Sequence, residues 1–224
     1  MEVIVEYNIA KIKDKIRSYE KNGNETSTYF LTPAQVQEAI FVLRGYDYTL
    51  SGGFSEAERK IIIIGNKEAN IGKYLSIIRV QSFQKELHHP NVLGSVLGLG
   101  IKREMIGDII VKDKCCDIII IREMKEYILN NLHMIGSEKV EAREVNLKEI
   151  LSIDAQKKVR NISVASLRLD AVISVAFGIS REKSNSLVSQ EKILINFLPC
   201  TNNSKTIKAG DLISARGFRK NKNS

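Results

Sequence analysis

Between Tyr74 and Val145 strand-like and helix-like runs follow one another in a fixed order, and that order leaves few folds open. Tyr74 to Ser82 is a β-rich run, and His89-Pro90 opens a short helix through Leu97, proline being suited to a helix's first turn. Asp108 to Val111 reads as a strand, Lys112-Asp113-Lys114 as a turn, and Cys116 to Ile121 as the next strand. Residues 122–134 predict an amphipathic helix, with Tyr127, Ile128, Leu132 and Ile135 near one side. Glu138 to Val145 then alternates as a strand should. The order is β-α-β-β-α-β.

Two strand-helix-strand halves in that order make the ferredoxin-like split unit, which RNA-recognition motifs also use. Those motifs stack bases on exposed aromatics of their two central strands. Here the third strand, Cys115-Cys116-Asp117-Ile118-Ile119-Ile120-Ile121-Arg122, has no aromatic residue, and the first offers only Tyr74. The sheet is therefore expected to act as a scaffold or protein-docking element and not to read bases.

Upstream, residues 3–21 mix apolar and charged side chains at helical spacing, and Asn22-Gly23-Asn24 ends that helix. Thr32-Pro33-Ala34-Gln35 is a helix start: Thr can cap, Pro fits the first turn, and Gln can close a capping box. That helix runs to about Arg44. Tyr46 to Leu50 alternates as a strand, Gly52-Gly53 turns the chain, and residues 60–64 read as a buried strand. Residues 146–165 are helix-prone and then polar, which puts a boundary near residue 158. The class expected is α+β, with an N-terminal α/β segment (1–70), a central ferredoxin-like domain (71–158) and a C-terminal module (159–224).

Charge separates that last module from the rest. Residues 160–224 hold eleven Lys and Arg against four Asp and Glu, which accounts for seven of the chain's eight net positive charges. A basic module joined to a nearly neutral body points to an anionic partner. No apolar run approaches the roughly 20 residues that span a bilayer. Met1-Glu2-Val3-Ile4-Val5-Glu6 is acidic where a signal peptide needs a basic region, so a cytoplasmic protein is expected. The three cysteines (Cys115, Cys116 and Cys200) form no C-x-x-C pair and read as buried free thiols rather than metal or redox groups.

Within the basic module, a helix is expected from Ser166 to Phe177, with Leu167, Val172, Ile173 and Ala176 toward a core. Gly178 suits the left-handed cap that ends it. Ser180 can cap a second helix, 181–189, whose first turn presents Arg181, Lys183 and Ser184. Ile193 and Ile195, then Leu212 to Arg216, read as strands, with Gly210-Asp211 as a turn. Arg168 and Arg181 can share the helical corner, and Lys192, Lys205, Lys208 and Arg216 come from the hairpin. Arg219, Lys220 and Lys222 extend the field into the tail. Arginine grips phosphate at two points from a fixed position, whereas lysine acts as a point charge.

These residues resemble the S-four RNA-binding domain, named for the fourth protein of the small ribosomal subunit. The matching pieces are Arg168-Leu169-Asp170, Gly178-Ile179-Ser180-Arg181, Ser184, Ile195-Asn196, and Lys208-Ala209-Gly210-Asp211 with Arg216-Gly217. The resemblance implies two helices on a small twisted sheet that grip structured ribosomal or transfer RNA. By that resemblance Arg168, Ser180, Arg181, Ser184, Lys192, Asn196, Lys208 and Arg216 are candidate contacts. Asp170 is expected to be structural and to orient an arginine. The family usually has glycine where Glu191 stands; a positive φ there would cost a non-glycine residue on the order of 1 kcal/mol.

The body resembles the YlmH-type proteins. His89-Pro90, Leu93-Gly94-Ser95-Val96-Leu97-Gly98-Leu99-Gly100-Ile101-Lys102-Arg103 and Gly107-Asp108-Ile109 carry the likeness, with Gly52-Gly53-Phe54 and Ala57-Glu58-Arg59 upstream. That family implies a bacterial RNA binder associated with ribosomes and linked to ribosome quality control and cell division. Lys102 and Arg103 are a possible second RNA contact.

No catalytic constellation competes with this reading. Gly98-x-Gly100-x-x-Arg103 fails the dinucleotide fingerprint at its last position, and the βα alternation of a cofactor-binding sheet is absent. His88 and His89, at a helix entrance, lack a matching carboxylate or cysteine cluster and are expected to cap or face solvent. His133 is expected to pack. The chain is thus expected to be a non-enzymatic RNA binder that needs neither metal nor cofactor. The alternative is a protein-interaction adaptor, acting through residues 1–158 and anchored by the basic module.

Overall fold

The computed structural model describes residues 2–151, 161–196 and 198–215. The chain divides into two compact units, Met1–Asp154 and Ala155–Ser224.

The first unit starts with helix α1 (Glu2–Asn22), then β1 (Thr26–Ser27), α2 (Pro33–Val42), β2 (Tyr48–Ser51) and β3 (Ile61–Ile64). The capping box forms at α2: the Thr32 hydroxyl accepts from Gln35 N, and the Gln35 side chain accepts from Thr32 N at 2.8 Å. The three strands form an antiparallel sheet in the order β1-β3-β2. Its middle strand, Ile61-Ile62-Ile63-Ile64, is wholly buried. Ile62 and Ile64 pack under the helices with Ile12, Ile16, Val36 and Ala39, while Ile61 and Ile63 face the other way.

What they face is the central sheet, built from β4 (Leu75–Ser82), β5 (Ile106–Lys112), β6 (Cys115–Ile121), β7 (Met134–Ile135) and β8 (Glu138–Val145). All pairs are antiparallel, in the order β5-β6-β4-β8-β7. With α3 (His89–Gly98) and α4 (Lys125–Asn131), the main elements run β-α-β-β-α-β. Ile78, Val80, Cys116, Ile118 and Ile120 face these helices, meeting Val92, Val96 and Ile128. Ile77, Ile119, Ile121 and Val145 face the opposite way and pack against Phe30, Ile61 and Ile63. Residues 1–70 and the central sheet thus share a core. Gly107 admits the Phe30 ring: a Cβ there would lie 2.7 Å from Phe30 Cε1.

Helix α4 is shorter than the 122–134 span the pattern predicts. Residues 122–124 form a 3₁₀ turn, and Met134 leaves the helix to pair with Lys139 across a tight turn at Gly136. His133 is consequently exposed, not packed, with Nε2 3.0 Å from the Asn130 carbonyl oxygen. Tyr127 is exposed as well, its hydroxyl donating to the Leu99 carbonyl. His88 occupies the N-cap of α3 without a side-chain cap bond, and both His88 and His89 face solvent.

The second unit contains α5 (Leu169–Phe177), α6 (Arg181–Ser189), β9 (Ile193–Ile195), β10 (Leu198–Pro199) and β11 (Ile213–Ala215). The strands form one antiparallel sheet, β10-β9-β11. Leu169, Ile173, Val188, Ile193 and Ile195 make its core. Helix α5 starts three residues later than its apolar pattern predicts, because the preceding residues are claimed by a strand-like pairing. Ile207 N donates to Leu167 O, Leu169 N donates to Lys205 O, and Arg168 bridges Thr206. Leu167 and Ala176, expected in the core, are exposed.

Candidate nucleic-acid interface

Arg168 is the N-cap residue of α5, so its side chain leaves the point where the 203–207 segment joins the helix. Its Nε and Nη2 donate to Asp170 Oδ1 and Oδ2 at 3.1 and 3.2 Å. Asp170 is buried in the first helical turn and also accepts from Ala171 N. The hydrogen bonds from Arg168, helped by that amide and by the charges of Arg168 and Arg181, hold the Asp170 carboxyl below its usual range. Asp170 therefore orients an arginine, as expected, and Arg168 retains a half-exposed side chain.

The turn between the helices is fixed by local chemistry. Gly178 adopts φ 66° and ψ 43°, a left-handed cap that a Cβ would disfavour. Ser174 Oγ donates to Ile179 O at 2.7 Å, and the Ser180 hydroxyl accepts from Lys183 N at 3.2 Å. Arg181 and Lys183 project exposed from the first turn of α6, where unpaired backbone N–H groups add a positive pole.

Lys205 and Lys208 lie on or beside the segment that pairs with residues 167–169 at the start of α5. Lys208 N donates to Asp211 Oδ2 at 2.8 Å, and Asn196 Nδ2 donates to Asp211 Oδ1 at 2.9 Å. These bonds, led by the Lys208 amide, lower the Asp211 pKa, and the charges of Lys205 and Lys208 lower it further. Both lysine side chains are exposed. Arg168, Arg181, Lys205 and Lys208 therefore gather around two carboxylates that the backbone already occupies. Lys192, also exposed, lies beyond the far end of α6, roughly 13 Å along the axis from Arg181 at ~1.5 Å per residue.

Three expected contacts also carry structural bonds. Ser184 is fully buried, and its hydroxyl donates to the Asp170 carbonyl at 3.0 Å, so it ties α6 to α5 and offers no surface to a ligand. Asn196, at φ 50°, uses Nδ2 on Asp211 and Oδ1 to accept from Leu212 N, closing the hairpin. Arg103, in the first unit, turns Nη1 onto the Ile106 and Gly107 carbonyls, while Lys102 beside it is exposed. Spacing cannot reveal that Ser184 points inward, since an amphipathic helix places small polar residues on either side of its boundary. Arg216, Arg219, Lys220 and Lys222 lie outside the described residues. Among the described residues, no cluster of three His, Cys, Asp or Glu could hold a metal ion, and no helix is long and apolar enough to cross a membrane.

Residues 72–149 match the family described as "Putative RNA-binding domain in YlmH". The chain is 27% identical over 198 residues to the ribosome-associated protein quality control protein P2 of Bacillus subtilis (strain 168), covering 85% of this chain and 77% of that protein. The cell division protein ylmH from Streptococcus pneumoniae superposes with a TM-score of 0.59 at 20% identity, over 65% of this chain and 93% of the other. At that identity the superposition speaks for the fold. The family read from His89-Pro90 through Ile109 is the family these comparisons return, and residues 72–149 are the part of the chain that matches its model.

Proposed function

We propose that this chain is a non-enzymatic, cytoplasmic RNA-binding protein that associates with ribosomes. In this reading its C-terminal unit is an S-four-type module gripping structured ribosomal or transfer RNA. The observation that carries the reading is the placing of Arg168 and Arg181 about Asp170 and of Lys205 and Lys208 about Asp211, with the guanidinium of Arg168 held in a fixed orientation by Asp170. Pre-oriented arginine beside exposed lysine suits a phosphate backbone, where the arginine sets geometry and the lysines add field. The YlmH-type match at residues 72–149 and a relative named for ribosome-associated quality control support the same partner class.

The test is co-sedimentation of the full chain with ribosomes across a salt series. About five phosphate contacts give a log–log slope near −3.5, at roughly 0.7 per contact on single strands, and duplex contacts steepen it. Arg181→Glu with Lys208→Glu should weaken binding and flatten the slope. Unchanged co-sedimentation in that variant rejects the reading. A chain lacking residues 160–224 should lose the ribosome; if it keeps its cellular partner instead, the protein is an adaptor that uses the basic unit as an anchor.

A further inference from the structure

In an RNA-recognition motif the face of the sheet opposite the helices carries the bases. Here Ile77, Ile119, Ile121 and Val145 of that face lie buried against Phe30, Ile61 and Ile63. A nucleic acid that contacts the first unit must therefore do so elsewhere.

One groove there has the chemistry. It holds about 800 Å³ between α1, the segment 28–35 and the turn at 102–104. At one side stands Tyr29, 39% exposed, whose ring is large, flat and open to solvent. Lys15 and Lys102 flank the groove, both exposed and both without an ion pair among the described residues. Arg59 and Arg103 also line it and converge on one acceptor: Arg59 Nε and Arg103 Nη1 both donate to the Ile106 carbonyl. Arg59 Nη2 donates to Phe30 O, which leaves Arg59 Nη1 and Arg103 Nη2 without a protein acceptor among the described residues.

Two guanidiniums side by side repel each other. Burial, and next the charge of Arg103, push Arg59 down to about 10, and Asp108 offsets only part of this. Asp108 already accepts the backbone N–H groups of Glu58 and Arg59, Glu104 is paired with Lys11 at 3.2 Å, and Asp14, which also lines the groove, is paired with Arg17 at 3.2 Å. The groove therefore keeps an excess of positive charge, partly desolvated, with donors aimed at no protein atom. An anion that brings acceptor oxygens relieves the repulsion and can accept from these two solvent-reaching nitrogens. An acidic peptide would meet the charge but leave the Tyr29 ring unused; a nucleotide supplies a phosphate and a flat base together.

We propose that this groove is a second RNA site, in which Tyr29 stacks a single-stranded base while Lys15, Lys102 and the Arg59–Arg103 pair hold the adjoining phosphates. The inference rests on the RNA-binding reading of the whole chain but adds a site made largely of residues outside 72–149. Stacking on an aromatic tolerates any base, so the site reads strand availability and not sequence.

The probe is a ten-residue oligouridylate, titrated into the full-length protein by fluorescence anisotropy. Tyr29→Ala should weaken its binding about tenfold, the usual scale for a lost base–aromatic stack. Tyr29→Phe keeps the ring and should bind as the parent does. Lys15→Glu with Lys102→Glu should weaken binding and flatten its salt dependence. Arg181→Glu with Lys208→Glu should leave the groove's share of oligouridylate binding in place. If the Tyr29 and lysine variants bind like the parent, or if the parent does not bind the probe, the groove is no RNA site. The RNA-binding reading then stands or falls separately, on ribosome co-sedimentation of the Arg181→Glu, Lys208→Glu variant. Equal losses in Tyr29→Ala and Tyr29→Phe would also overturn the stacking assignment. Tyr29, Lys15 and Lys102 are exposed and lack core contacts, so circular dichroism should report parent-like folding in every variant.

Discussion

Arg79 and Asp117 stand opposite each other on β4 and β6 and meet at two points, Nε to Oδ1 at 2.7 Å and Nη2 to Oδ2 at 2.8 Å. Asp117 is fully buried, and the pair reaches beyond the sheet: Leu151 N donates to Asp117 Oδ2 at 2.7 Å, and Arg79 Nη2 donates to the Glu149 carbonyl. One ion pair thus fastens the segment that leaves β8 back onto the sheet. Removing one partner from a buried pair strands the other's charge, at a cost of about 3–5 kcal/mol. Arg79→Ala should lower the stability of the full chain by roughly the lower end of that range, since Arg79 is partly exposed. Arg79→Met with Asp117→Leu should recover most of the loss, because neither charge is then left alone. Urea unfolding curves measure both; a double variant as unstable as the single one would show that the pair is needed for more than mutual neutralisation.

Local signals and long-range consequences were not equally readable. Thr32 with Gln35, Gly178, and Ser180 are caps, and each acts on residues one to four positions away, so its task is visible in a short window of sequence. The β-α-β-β-α-β order is legible because each run keeps its own period. Leu167 misleads because its spacing fits α5, yet a pairing with Ile207, forty residues on, takes its carbonyl, and the helix begins only after it. Burial of the sheet face under Phe30 and Ile61 is hidden for a similar reason: an apolar strand residue does not say which layer covers it. The groove near Tyr29 collects residues as far apart as Lys15 and Arg103, and only the fold puts them together.

Ser184 and Arg181 share the first turn of α6 but should fail differently. Ser184→Ala removes a buried donor from the Asp170 carbonyl and should cost about 1 kcal/mol of stability while leaving the salt slope of ribosome binding unchanged. Arg181→Ala should change stability by less than about 0.5 kcal/mol and reduce the slope by about 0.7. A reduced slope in Ser184→Ala would return its hydroxyl to the binding surface.

Glu191 holds φ 55° at the junction of α6 and β9, where its N–H donates to the Val188 carbonyl. This is the position at which the S-four resemblance calls for glycine. A left-handed conformation costs a side-chain-bearing residue about 1 kcal/mol, and glycine repays part of that gain through its looser unfolded state. Glu191→Gly should therefore stabilise the C-terminal unit by about 0.5 kcal/mol, read as a higher urea midpoint of the Ile173 and Ile195 methyl resonances. It also removes a negative charge from beside Lys192, so RNA affinity should rise slightly or hold. A lower midpoint would mean that the Glu191 side chain contributes more than its backbone strain removes.

Asp170 and Asp211 give the C-terminal unit an acid limit. Both carboxyls are held below their usual range, Asp170 first by the hydrogen bonds from Arg168 and Asp211 first by the Lys208 amide. The folded unit therefore takes up these protons less readily than the unfolded chain, whose aspartates titrate near about 3.9. The resulting stabilisation is fully present above that value and is lost as pH falls through the lower, folded-state pKa values. Urea midpoints of the Ile173 methyl resonance should hold steady from pH 7 to 5 and fall steeply below about 4. Asp170→Asn should start lower at neutral pH, because Arg168 loses its carboxylate, and should show a shallower fall in acid. An equally steep fall in that variant would assign the acid sensitivity to Asp211 and the strands it closes.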